Sequence, residues 1–256
     1  RAYWLDAGTI RWPKMPAGSR YRLYAAADAG LRVERGESVR GADAAITLEP
    51  AATLAEDAAA RFRFTGVGVE LRLPEQERPR IAELLRGQVL LVQEDAQGRV
   101  LDATYLQSPG ALDALYADAD SAMLGALPGD GASWFRLWAP TARDVSLCLY
   151  RDGAAKASSQ VPLAREDASG LWLQGVPRDL RGQYYTYLVD VFVPGTGIVR
   201  NRVTDPYSPS LTTDSTRSYI ADLDDPALKP PGWDEVPRPP ALASNTNMAI
   251  YELHVR

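Results

Sequence analysis

Apolar residues along this chain fall in short runs, many with a period of two, that glycine and proline interrupt throughout. That rhythm predicts antiparallel β-structure rather than long helices. The clearest run is Ser133–Ala139 (SWFRLWA), where strand alternation puts Phe135 and Leu137 on one face and Trp134, Arg136 and Trp138 on the other. In Asp144–Tyr150, Val145, Leu147 and Leu149 alternate with Ser146, Cys148 and Tyr150. Gly170–Val176 and Gln183–Val193 read as further strands, and the turn Pro194-Gly195-Thr196-Gly197 sends the chain back along Ile198–Arg202. Six or seven short strands in about 100 residues, with no long helix between them, predict a β-sandwich.

The preceding part has the same texture. Strands are expected at Ala2–Leu5, Arg20–Ala25, Ala44–Leu48 and Val67–Leu73, and a helical turn at Pro79–Leu85. Gln88–Glu94 and Arg99–Leu106, joined by Asp95-Ala96-Gln97-Gly98, form a hairpin pattern. Ala51–Ala60 is alanine-rich and reads as helical, as does Ala111–Tyr116. Asp118–Ala132, rich in Asp, Gly and Ala, reads as a loop. Beyond Leu228 five prolines fall between Pro230 and Pro240, which predicts an extended connector. After it, Met248–Val255 (MAIYELHV) is a strand-forming run with no partner strand beside it in sequence.

Composition narrows the chemistry. With 46% hydrophobic residues in 256 there is material for real cores, and the length suits two domains of about 100–130 residues. A net charge of −5, spread along the chain, provides no electrostatic footprint for nucleic acid or an anionic membrane. No apolar run approaches the ~18 residues of a membrane span. One cysteine, Cys148, and one histidine, His254, exclude an intrachain disulfide and a Cys/His metal cluster. The first residue is Arg1, so a leader or earlier region is expected to have been trimmed, and the compartment is not readable.

Several ordered segments carry a resemblance: FRLWAPTARDVSLCLY (Phe135–Tyr150), GQYYTYLVDVFVPGTG (Gly182–Gly197), the stretch from Asn201 to Trp233, and IYELHVR (Ile250–Arg256). Together they resemble the pullulanase-type debranching enzymes of the α-amylase superfamily. YWLDAGTIRWP (Tyr3–Pro13), YRLYAA (Tyr21–Ala26) and the stretch Leu84–Tyr116 are similar to the small module that precedes the sandwich in the same enzymes. The resemblance implies a mainly β chain of two β-rich domains. Residues 1–117 would be an N-terminal accessory module, and 118–227 an immunoglobulin-like sandwich of the starch-binding-module type. Residues 228–256 would be the Pro-rich linker and the first strand of a truncated (β/α)8 barrel. The parent enzyme would hydrolyse α-1,6-glucosidic linkages with a nucleophilic carboxylate and a carboxylic acid on later barrel strands. None of those strands is in this sequence, so no catalytic residue is expected here. No cofactor is expected either, and the resemblance leaves Ca2+ only to the parent's other domains. The implied partner is the catalytic barrel of the same polypeptide.

Candidate contacts to an α-glucan come from the aromatics, because pyranose C–H faces stack on indole and phenol rings beside hydrogen-bond donors. On the sandwich these are Trp134, Arg136, Trp138 and Trp172; on the first module, Tyr3, Trp4 and Trp12. The competing account of each is core packing. Glucan-binding members of this module type carry tryptophans after the second strand and near the last turn. Here those regions read Arg151-Asp152-Gly153-Ala154 and Thr196-Gly197-Ile198-Val199. Glu252 and His254, two apart on one strand, would orient the barrel mouth or pack within it. The rival functions are an autonomous α-glucan-binding module and a purely structural pair of sandwiches. At the chain's exit from the sandwich, Asp205 is placed to accept backbone N–H groups while Pro206 fixes φ.

Overall fold

The computed structural model describes residues 1–51 and 56–253, and within them the first part of the chain is a closed barrel. Its strands are β1 (Ala2–Trp4), β2 (Thr9–Pro13), β3 (Arg20–Ala26), β4 (Ala44–Pro50), β5 (Gly68–Arg72), β6 (Gln88–Glu94) and β7 (Val100–Gln107). They run around the barrel in the order β1-β2-β5-β4-β3-β6-β7. All pairs are antiparallel except the closing one, where β1 lies parallel to β7 with Ala2 opposite Leu106. Alternation sends Trp4, Ile10, Trp12, Tyr21, Leu23, Ile46, Leu48, Val69, Leu71 and Leu91 into one core. The short α2 (Ile81–Leu84) and α3 (Pro109–Leu115) close over it with Ile81 and Ala111. The expected helix over Ala51–Ala60 is represented by α1 (Glu56–Arg61); residues 52–55 lie outside the described residues.

The strand β2 is not in the sequence reading. It is short, carries the charged Arg11 and ends in Pro13, which weakens the apolar alternation. What makes it is the turn before it, where the carboxylate of Asp6 accepts the backbone N–H groups of Gly8 and Thr9 at 2.7 and 2.8 Å. A second apolar layer lies on the outer side of β3, β6 and β7. Tyr24, Leu90, Val92 and Val100 are covered there by Leu31, Val33 and Val39 from the β3–β4 connection.

The second part is a two-layer sandwich. One sheet runs β12 (Ala164–Glu166), β13 (Leu171–Val176), β9 (Ser133–Trp138), β8 (Gly125–Leu127). The other runs β11 (Ser159–Pro162), β10 (Asp144–Tyr150), β14 (Tyr184–Val193), β15 (Gly197–Val203), with β16 (Ser218–Tyr219) also paired to β14. Phe135, Leu137, Val145, Leu147, Leu149, Trp172, Tyr185 and Tyr187 fill the space between the sheets. The region expected to be a loop, Asp118–Ala132, contains β8, which adds to the sheet edge through β9.

Barrel and sandwich pack into one compact unit, Arg1–Ala221. Arg86 fastens them. Its Nε and Nη2 donate to the backbone carbonyls of Ala142 and Arg143 at 3.0 and 2.8 Å. Burial, and then the neighbouring guanidinium groups of Arg165 and Arg143, lower its pKa from the usual arginine value. Arg143 returns a bond to the carbonyl of Ala27, and the rings of Tyr105 and Phe192 lie 6.2 Å apart across the same junction.

Among its described residues the second unit, from Asp222 onward, has three single 3-10 turns and no buried side chain. The strand expected over Met248–Val255 is not formed in its described part, Met248–Leu253. A strand needs a neighbour for its N–H and C=O groups, and no strand pairs with this segment among the described residues. Glu252 is exposed, and His254 lies outside the described residues.

Candidate carbohydrate-binding face

The outer face of the β12-β13-β9-β8 sheet is where three of the seven candidate residues meet. Register places Trp134, Arg136 and Trp138 of β9 opposite Gly175, Leu173 and Leu171 of β13. Because Phe135 and Leu137 anchor the opposite face in the core, Trp134, Arg136 and Trp138 are held outward by the pleat. The indole of Trp134 lies across Gly175, so close that a Cβ on that glycine would stand 2.9 Å from Cζ3. No side chain other than hydrogen would leave the ring this flat against the strand. Its exposure is 49%, so the ring keeps an open side. Half-buried Arg136 stands next in the row as a donor. Trp138 is also half-buried, and its Nε1 donates to the carbonyl of Ser169 at 3.1 Å, which fixes the ring.

Other candidates are elsewhere. Trp172 is 4% exposed and points between the sheets, with Nε1 donating to the carbonyl of Ala139 at 3.0 Å. Trp4 (0% exposed) and Trp12 (5%) lie in the barrel core. These three therefore have no ring face to offer a sugar, and they are corrected to core residues. Their strands alternate as expected, but period alone does not say which face of a short strand a closing barrel or a sandwich turns inward. Tyr3 is half-buried on the barrel exterior, edge-on to Phe64 at 6.2 Å, and belongs to no shared face with Trp134. Sequence reasoning missed Gly175. The signal was available as a glycine inside an apolar strand, GLWLQGV, which marks a close approach of another group.

On the opposite sheet Tyr184 and Tyr219, both half-buried, lie 5.1 Å apart. There Tyr150 is buried beneath the guanidinium of Arg217, which sits 4.0 Å above its ring, and Arg202 donates to its hydroxyl. Arg217 is itself held by the carbonyls of Asp152 and Ala155, both at 2.7 Å. A protein arginine thus occupies the ring face that a ligand would need. Among the described residues, no group of three or more His, Cys, Asp or Glu could hold a metal ion. Nor is any described helix long and apolar enough to cross a membrane.

Comparison with known proteins assigns both parts. Residues 1–114 match the family model of the pullulanase N2 domain, and residues 123–208 that of carbohydrate-binding module 48, the isoamylase N-terminal domain. The chain is 34% identical over 260 residues to a pullulanase of Klebsiella pneumoniae, covering all of this chain and 23% of that protein. It is 34% identical over 261 residues to the chloroplastic pullulanase 1 of Arabidopsis thaliana, covering all of this chain and 26% of that protein. The crystal structure of apo pullulanase from Klebsiella pneumoniae superposes with a TM-score of 0.82 at 33% identity, over 92% of this chain and 25% of that one. The maltotriose complex of that enzyme gives the same TM-score of 0.82 and identity of 33%, over 92% of this chain and 22% of that one. The chain thus spans about a quarter of the length of the curated relatives it matches.

Proposed function

We propose that the chain, whose residues 1–114 and 123–208 match the pullulanase N2 domain and carbohydrate-binding module 48, serves as the N-terminal modules of a pullulanase-type enzyme, packing on a catalytic domain of the same polypeptide and presenting α-glucan to it. The parent activity in this proposal is hydrolysis of α-1,6 linkages in a branched α-glucan. The glucan contact is the outer face of β9, and the observation that carries it is the Trp134 ring lying on Gly175 with its other side open. A pyranose ring laid on that indole buries C–H surface, while Arg136 donates to its hydroxyls. The binding is of a neutral polyol by shape and stacking, in keeping with a chain whose net charge of −5 is dispersed.

Calorimetric titration with maltoheptaose tests this reading. Saturable binding, weakened at least fivefold by Trp134→Ala, is the expected result. Absence of heat at millimolar sugar ends the glucan part of the proposal. Turnover of pullulan by these 256 residues alone would end the rest, because it would require a complete active site within them.

A further inference from the structure

A second surface feature lies where the linker helix α3 and the turn after it pass over the end of β9. It is an open cleft of about 510 Å3, a size usual for small-molecule sites, with Trp138 and Tyr207 among its walls. Tyr116, Leu124 and the alanines of the linker make the rest of its lining, and two carboxylates, Asp113 and Asp120, stand at it.

The Trp138 ring and the Tyr207 backbone are held in place. Trp138 is fixed by its Nε1 bond to the Ser169 carbonyl at 3.1 Å. Tyr207 is 41% exposed, while its backbone N–H donates to the buried carboxylate of Asp205 at 2.8 Å. Asp113 is exposed and paired with Arg61, and Asp120 is exposed on the 3-10 turn Ala117–Ser121. Aromatic rings bordered by acceptors suit a ligand with apolar C–H faces and outward hydroxyl donors. An anionic ligand would meet two carboxylates and no basic side chain in the cleft lining. A neutral saccharide meets both requirements.

We propose that this cleft is a saccharide subsite, in which a pyranose unit of an α-glucan packs against Trp138 and Tyr207 and donates hydroxyls to Asp113 and Asp120. It is separate from the Trp134 platform but reachable by the same chain. Trp134 and Trp138 are four residues apart on one outward row, about 13 Å at strand rise. One oligosaccharide therefore spans both, and the second contact forms at high effective concentration once the first is made. The subsite rests on the reading that these modules contact α-glucan, and it adds to that reading where along the sheet the chain continues.

The 256-residue chain, labelled with 15N, is titrated with maltoheptaose, and the six indole N–H resonances are followed, with Trp138→Phe and Trp134→Phe supplying assignments. Expected are a shift of the Trp138 resonance on titration and a loss of affinity of at least fivefold in both Tyr207→Ala and Asp120→Asn, with unchanged Tm. If Tyr207→Ala does not fold, Asp120→Asn, on an exposed carboxylate, decides alone. Should Trp134 respond while Trp138 stays still and both variants bind within twofold of the parent chain, the cleft is overturned and the platform stands. Absence of any binding at millimolar maltoheptaose overturns cleft and platform together.

Discussion

The hydroxyl of Tyr185 donates to the carboxylate of Asp205 at 2.8 Å inside the sandwich, and that one bond ties the long strand β14 to the chain leaving β15. Tyr187 adds a weaker bond to the same oxygen at 3.4 Å, while the backbone N–H groups of Tyr207 and Asp205 reach Asp205 Oδ1 and Ser218 Oγ at 2.8 and 2.9 Å. Both phenols have pKa values raised, chiefly by burial and then by the nearby charge of Asp205.

Tyr185→Phe keeps the ring and deletes the donor, so it is expected to destabilise the fold by about 1–2 kcal/mol. Asp205→Ala leaves two buried hydroxyls short of an acceptor and releases the turn at Tyr207. About 3 kcal/mol is expected. Urea denaturation of both variants checks the order. A larger loss for Tyr185→Phe than for Asp205→Ala would show that the carboxylate is not the hub of the cluster.

Two aspartates give opposite pH signatures. Asp190 receives the fork of Arg200, with Nε and Nη2 at 2.6 and 2.7 Å, and that hydrogen bonding lowers its pKa from the ordinary carboxylate value. Its contribution to stability is fully present above the ordinary carboxylate range and is lost as pH falls through the depressed value. The pKa of Asp205 is raised, with burial the largest cause, against the pull of its donors. Its contribution has the reverse sign: present below the ordinary range, and lost as pH rises through the raised value. Carboxyl-carbon NMR is expected to show Asp205 titrating above Asp190. Denaturation across the acid range should show the low-pH loss flattened in Asp190→Asn. A midpoint for Asp190 above that of Asp205 would contradict both assignments.

Arg86 is expected to hold the two modules together. Arg86→Met keeps much of the stem and removes the two charged bonds to the carbonyls of Ala142 and Arg143. A cost of about 2–4 kcal/mol follows, and Arg86→Lys should recover little, because an ammonium cannot serve both carbonyls from one planar fork. Limited proteolysis within residues 117–124 is the readout, since a loosened junction leaves this already exposed connection freer to unfold into a protease site. Equal cleavage rates in the parent chain and Arg86→Met would show that the rest of the interface suffices.

What could be read from the residues was what is local. Phe135 and Leu137 against Trp134, Arg136 and Trp138 followed from the pleat alone, and the Gln88–Gln107 hairpin from its turn. Non-local closure could not be read that way. The parallel pairing of Ala2 with Leu106 makes a barrel out of strands that otherwise suggest an open sheet, and it is what buries Trp4. The edge strands β11 and β12 (SQVP and ARE) are short, mostly polar and half-exposed, so no periodic signal marks them. At the candidate site the sequence showed which tryptophans share a face. It did not show which strand lies opposite, and so it missed the pairing of Trp134 with Gly175.

That pairing offers the most direct test of the platform. A methyl added at Gly175 would sit 2.9, 3.0 and 3.2 Å from three carbons of the Trp134 benzo ring and clash with no backbone atom among its nearest neighbours. The ring is the end of a side chain with an open side, so it tilts away instead of forcing the strands apart. Gly175→Ala is therefore expected to leave stability within about 1 kcal/mol of the parent chain, since an alanine also orders the unfolded chain slightly. The tilt changes the stacking face, and affinity for maltoheptaose should fall severalfold together with a shift in tryptophan emission. Trp134→Ala should fall further, and the double variant no further than Trp134→Ala alone, because the glycine acts only through the ring. If Gly175→Ala weakens binding equally when Trp134 is already alanine, the glycine has a role of its own and the indole is not what it serves.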